Sequence, residues 1–79
     1  MKFGSTLKRL RKVRKLTLSD IARISGIHLA TLSRIENDKK IGTVRNHFDI
    51  SKALGLKLSE LYEEFERDNP LELSLSQIQ

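Results

Sequence analysis

A chain of 79 residues with 15 Lys and Arg against 10 Asp and Glu, a net charge of +5, is the size of one domain and too short for a two-domain enzyme. Folded chains this small bury only roughly 60% of the surface their unfolded form exposes, so a few helices around one small core are within reach, with dimerisation as reinforcement. The absence of cysteine excludes a disulfide framework and a thiolate zinc site. No run approaches the ~18 apolar residues of a membrane span, and Met1, Lys2 and Phe3 lead into a charged stretch rather than a signal peptide's apolar core. A soluble cytoplasmic protein is expected.

Five short helices and a tail are predicted. The first covers about 5–15, with Leu7, Leu10, Phe3 and Val13 inward and Lys8, Arg9, Lys12 and Lys15 outward. The second opens with Thr17 as N-cap and Asp20 three residues on, a capping box that satisfies otherwise orphaned amides. Its inward face is Leu18, Ile21, Ala22 and Ser25, and it stops at Gly26, where a residue able to take positive φ turns the chain. The third helix covers about 29–37 with Leu32 and Ile35 inward, and the fourth about 44–54 behind Thr43 as N-cap. The fifth covers about 58–67, where Leu58, Leu61, Tyr62 and Phe65 follow the i, i+3, i+4, i+7 spacing of an apolar stripe. Pro70 closes the helical part, because the residue before a proline is pushed out of helical geometry. Beyond it Leu71, Leu73 and Leu75 alternate with polar residues as a strand would. The expected division is a helical domain over 1–69 and a tail over 70–79 that pairs with a partner or stays disordered.

Charge is distributed unevenly. Residues 1–45 hold twelve Lys and Arg against three Asp and Glu, a net +9, whereas 46–79 hold three against seven, a net −4. A basic half on a small domain suits a polyanion such as nucleic acid, although a solvated helix face is the plainer alternative.

The stretch from Leu18 to Asn37 is the most informative. Its small, glycine and apolar positions suit two short helices crossing steeply through a tight turn: Ala22 where the helices cross, Gly26 in the turn, and Ile21, Ile27, Leu32 and Ile35 sealing the pair onto the core. Here the chain resembles the Cro/phage-repressor (Xre-type) helix-turn-helix family of bacterial and phage transcription regulators. The likeness starts at Leu7-Lys8-Arg9-Leu10-Arg11 and continues through Leu16-Thr17, Asp20-Ile21-Ala22, Ser25-Gly26-Ile27 and Thr31-Leu32-Ser33-Arg34-Ile35-Glu36. It resumes at Ile50-Ser51-Lys52-Ala53-Leu54-Gly55-Leu56 and closes at Glu60-Leu61. The resemblance implies an all-α, five-helix, lambda-repressor-like DNA-binding domain whose third helix lies in the major groove.

Carried over position by position, the resemblance implies that Leu29, Ala30 and Arg34 face base edges. It assigns phosphate contacts to Thr17, Leu18, His28, Thr31, Ser33, Asn37, Lys39, Lys40, Thr43 and Arg45. The chemistry fits on its own terms, since helix N-termini attract anions and Lys39, Lys40 and Arg45 flank a helix start. Arg11 and Glu36 match positions that the family commonly joins in an internal ion pair. Two departures stand out. Family members usually have glutamine at the position of Leu18 and often a polar residue at Leu29. With leucine at both, either Leu29 and Ala30 meet thymine methyl groups while Arg34 reads guanine O6 and N7, or the leucines extend the core or a protein-binding surface.

His47 stands where the family usually has an inward apolar residue and reads as a packing histidine rather than a ligand. Neither a metal nor another cofactor is implied. No nucleophile–base–orienter set is apparent, so no catalytic residue is assigned and an enzyme is not expected. Leu58, Tyr62 and Phe65 are assigned to a dimer interface. The expected function is sequence-specific binding of double-stranded operator DNA by a homodimer, as a bacterial or phage, nucleoid-associated repressor. Two rivals remain at this point: an antitoxin that binds both its operator and a toxin protein, and a protein-interaction module that has lost DNA readout.

Overall fold

In a computed structural model, described for residues 3–70, five helices follow one another: α1 (Phe3–Val13), α2 (Leu18–Ser25), α3 (Leu29–Glu36), α4 (Val44–Ala53) and α5 (Leu58–Asp68). Apolar residues at helical spacing on all five converge on one core of Leu7, Leu10, Ile21, Leu32, Ile35, Ile50, Leu54 and Leu61, each at most 5% exposed. α1 packs against α3 and α5, and α2 against α3 and α4, while α4 also packs on α5, so α5 closes the bundle on the side away from α2. The alternating segment at Leu71, Leu73 and Leu75 lies outside the described residues.

Local chemistry sets the helix ends. Thr17 accepts the Asp20 N–H at 3.0 Å while the Asp20 carboxylate accepts the Thr17 N–H at 2.8 Å. Thr43 and Asn46 form the same reciprocal pair at 3.0 and 2.9 Å. α1 begins and ends two residues earlier than its apolar spacing suggests. It begins at Phe3 because the Gly4 N–H in its first turn donates to the Asp38 carboxylate at 2.9 Å. It ends at Val13 because Lys15 turns left-handed, with φ 57°. The Lys15 N–H then donates to Lys12 O and the Leu16 N–H to Arg11 O, the paired bonds of a Schellman cap. Val13, expected inward, is 69% exposed. The phase set by Leu7 and Leu10 falls next on half-buried Arg14, whose guanidinium donates to Leu54 O at 2.7 Å and to Leu10 O at 3.0 Å.

Polar groups inside the bundle are satisfied. Thr6 and Ser51 are wholly buried, and their hydroxyls donate to Asp68 at 2.8 Å and to Phe48 O at 2.7 Å. His47 is buried and stacks on Phe3 at 4.6 Å. A carbonyl can only accept, so His47 Nε2–H donates to Ile41 O at 2.8 Å, and in the neutral ring Nδ1 accepts the Tyr62 hydroxyl at 2.8 Å. It thus ties together α1, α4, α5 and the loop before α4. Arg9 joins α1 to α5 by bonds to Glu64 at 2.7 Å and Asp68 at 3.0 Å. Among the described residues no helix is long and apolar enough to cross a membrane.

Candidate nucleic-acid interface

α2 and α3 meet through a turn of three residues. Gly26 ends α2 at φ 78°, its N–H donating to Ala22 O at 2.9 Å. Its left-handed backbone is open to glycine without penalty and costs a Cβ-bearing residue roughly 1–2 kcal/mol. Ser25 accepts the Ile27 N–H at 3.2 Å and holds the turn, and half-buried Ile27 packs on the core.

α3 then presents two different faces. Leu32 and Ile35 are 2% and 1% exposed, whereas Leu29 is 47% exposed and Ala30 and Arg34 also face out. Arg34 takes part in no ion pair among the described residues, which leaves its fork of donors available. His28 occupies the N-cap of α3, and its side chain makes no bond to the first-turn amides. Thr31 and Ser33 are half-buried on the flanks of the same face. Asn37 donates its side-chain amide to Ser33 O at 2.8 Å and so is engaged with its own helix.

Two capped helix starts and a basic loop carry the other polar candidates. The hydroxyls of Thr17 and Thr43 each accept a backbone N–H in their capping boxes, so each keeps its own proton to donate outward. Each cap thus satisfies a first-turn amide of its own helix and leaves its hydroxyl proton uncommitted. Asp20 in the first box is held below the usual carboxylate range, chiefly by the Thr17 amide and hydroxyl and then by Arg23. Lys39 and Lys40 are exposed, and Arg45 lies along α4 against Asp49 at 3.2 Å. Leu18 turns its side chain onto the core and lines a small internal gap with Leu32 and Leu54, so of the two departures from the family pattern it is the one absorbed by packing. Leu29 stays at the surface.

Arg11 and Glu36 form a two-pronged ion pair, Nε to Oε2 at 2.6 Å and Nη2 to Oε1 at 3.0 Å, with side chains only 14% and 10% exposed. Arg11 also donates to Leu16 O at 2.8 Å. The bond to Glu36 raises the Arg11 pKa further above its already high ordinary value. One guanidinium thus joins the end of α1, the chain entering α2 and the end of α3. Tyr62 and Phe65 are half-buried and, with Phe3 and His47, line an open cleft of about 640 Å³ between α5 and the α3–α4 loop. Leu58 is half-buried against the core. Sequence reasoning passed over Asp38, Asn46 and the bonds by which Arg9 and Arg14 tie α1 and its C-terminal turn to later elements. Of these only Asn46, three residues after Thr43, carried a local signal.

The comparisons with known proteins agree with this geometry. A family model described as helix-turn-helix matches residues 7–61. The uncharacterized HTH-type transcriptional regulator RghRB of Bacillus subtilis is 53% identical over 38 residues, 48% of this chain and 27% of that protein. The HTH-type transcriptional repressor RghR of the same organism is 50% identical over 38 residues, 48% of this chain and 28% of that protein. The chain therefore spans little more than a quarter of the length of these curated relatives, and no solved structure matches it at a significant level. With a match over most of its length and the helix pair, turn and open α3 face in place, the chain belongs to the Cro/phage-repressor (Xre-type) helix-turn-helix family of DNA-binding transcriptional regulators.

Proposed function

We propose that residues 1–69 are the operator-reading domain of a cytoplasmic repressor. α3 enters the major groove, where Arg34 hydrogen-bonds a guanine edge and Leu29 and Ala30 meet thymine methyl groups. Phosphates are held by the side chains of Thr17, Thr43, Lys39, Lys40 and Arg45 and by the α3 flank of His28, Thr31, Ser33 and Asn37. Leu18, its side chain turned inward, contributes its first-turn amide. Arg11 and Glu36 act at one remove by fixing α3 against α1. The reading requires no catalytic group and no cofactor, and occupancy of a promoter would exclude polymerase.

The observation that carries it is the contrast on α3. Two apolar side chains are sealed inside while Arg34, in no ion pair among the described residues, and two small or apolar residues stand exposed on the same short helix. An interaction module would need a larger apolar face there. The relatives, named as a transcriptional regulator and a transcriptional repressor, favour a regulator over an antitoxin. Two copies are proposed to pair through α5 near Leu58, Tyr62 and Phe65, spacing their recognition helices by the ~34–36 Å of one helical turn. Footprinting on the DNA upstream of the protein's own gene tests the reading. A protected, roughly two-fold-symmetric site is expected, and uniform, sequence-independent protection would reject it.

A further inference from the structure

The first amides of a helix have no partner within it, and α1 has no acidic residue in its own first turn. The partner comes from 34 residues away: Asp38 Oδ1 accepts the Gly4 N–H at 2.9 Å. Asp38 is the residue after the C-cap of α3 and adopts φ 59°. Its N–H donates to Ile35 O at 3.1 Å, and the Lys39 N–H donates to Arg34 O at 2.8 Å, the two bonds of a Schellman cap. Glycine is the usual occupant of that left-handed position, and aspartate is among the few others that tolerate it. The approach is close, since a Cβ on Gly4 would meet the carbonyl oxygens of Ile35 and Glu36. The loop after α3 is therefore pinned to the start of α1 by one carboxylate.

We propose that Asp38 is a positioning residue for DNA binding, holding Lys39 and Lys40 where they meet the phosphate backbone. The inference rests on the proposed phosphate role of those two lysines. The backbone N–H groups of both lysines donate to Arg34 O, at 2.8 and 3.4 Å, so the loop that carries the cations is tied at its backbone to the end of α3. Releasing the carboxylate from Gly4 removes the only bond from the Asp38 side chain to another element among the described residues. The loop then keeps its backbone bonds to the end of α3 but loses this tie to α1, and with it the fixed frame for the Lys39 and Lys40 side chains. The sign of the effect separates this from simple electrostatics. Asp38 is an anion beside two cations that face a polyanion, so removing its charge should tighten DNA binding on charge grounds alone, whereas loss of positioning weakens it.

The test uses the full chain and a random-sequence DNA duplex, with binding followed from about 50 to 200 mM salt, the range over which phosphate contacts dominate. Asp38→Gly keeps the left-handed turn free of strain and so keeps the fold, while deleting the carboxylate. Asp38→Asn keeps an acceptor oxygen and deletes only the charge. A slope of about 0.9 per contact corresponds to about fivefold in affinity between 0.15 M and 1 M salt for each lysine. Asp38→Gly is expected to bind about fivefold or more weaker, with a shallower salt slope, and Asp38→Asn to bind at least as tightly as the native chain. Native or tighter binding by Asp38→Gly overturns the proposal, as does equal weakening of both variants. A Lys39→Ala/Lys40→Ala double variant separates the levels. If it leaves the salt slope unchanged, the phosphate role of the loop fails and Asp38 has nothing to position. If it lowers the slope while Asp38→Gly does not, only the role of Asp38 fails.

Discussion

Removing either partner of the Arg11–Glu36 pair should cost far more than a surface ion pair is worth. Exposed pairs contribute about 0–1 kcal/mol, whereas breaking a buried pair leaves an unmatched charge and costs about 3–5 kcal/mol. Side chains 14% and 10% exposed, joined by bonds of 2.6 and 3.0 Å, place this pair nearer the buried limit. A cost of about 2–3 kcal/mol is expected for Arg11→Met and for Glu36→Gln alone. With an unfolding entropy of about 2.1 cal/mol/K per residue, 79 residues give about 0.17 kcal/mol/K, so each single variant should melt about 12–18 °C lower. The double variant strands no charge and should lose about 1–2 kcal/mol less than the sum of the singles. Thermal and urea unfolding of the four chains measures the cycle. Additivity within about 0.5 kcal/mol would show that the two groups do not interact energetically, whatever their separation.

Acid should loosen the domain through two carboxylates. Glu64, whose ordinary value is near 4.5, is lowered first by its bond to Arg9 and then by Arg67, and Asp20, ordinarily near 3.8, is lowered by the Thr17 cap. Groups lowered on folding add stability that is complete above their unfolded values and is lost as pH falls through the folded ones, so the urea midpoint should fall below about pH 4. Arg9→Met should shrink that fall, and a midpoint flat from pH 6 to about 3 would contradict it. Gly4→Ala should destabilise by about 1–3 kcal/mol, since its methyl would lie 2.6 Å from Ile35 O, and an unfolding midpoint equal to the native one would disprove the close approach. Sedimentation of Leu58→Glu should show loss of the proposed dimer with retained helicity, and an unchanged profile would remove α5 from the interface.

What could be read from the sequence were the features that act over one or two turns. The capping pairs at Thr17 and Thr43, the left-handed stop at Gly26 and the period of Leu58, Leu61 and Tyr62 each have a local cause, and the corresponding helices stand within a residue or two of their expected bounds. The start of α1 was hidden because its cap comes from Asp38, and its end because a lysine rather than a glycine turns left-handed there. Periodicity put Arg9 on the surface without indicating that Glu64 and Asp68, 55 and 59 residues on, would take up its donors. Arg14 was hidden for the same reason, as its partner is a carbonyl 40 residues away. Positive charge along residues 9–14 is thus a poorer guide to DNA contact than it looks, since Arg9, Arg11 and Arg14 are all hydrogen-bonded to groups of the same chain. At the candidate interface, the open face of α3 followed from the inward phase of Leu32 and Ile35, but the partial burial of Leu18 against the core and the exposure of Leu29 required the packed structure.

The central claim is that α3 reads bases while the loop after it holds phosphates, and one comparison tests it directly: Arg34→Ala and Lys40→Ala, each titrated against the footprinted site and against random DNA at the same salt. Arg34→Ala should lose about 1–3 kcal/mol on the specific site and little on random DNA, relaxing preference at one base pair. Lys40→Ala should weaken both DNAs alike and lower the salt slope by about one. Equal losses on both DNAs for both variants would contradict the account.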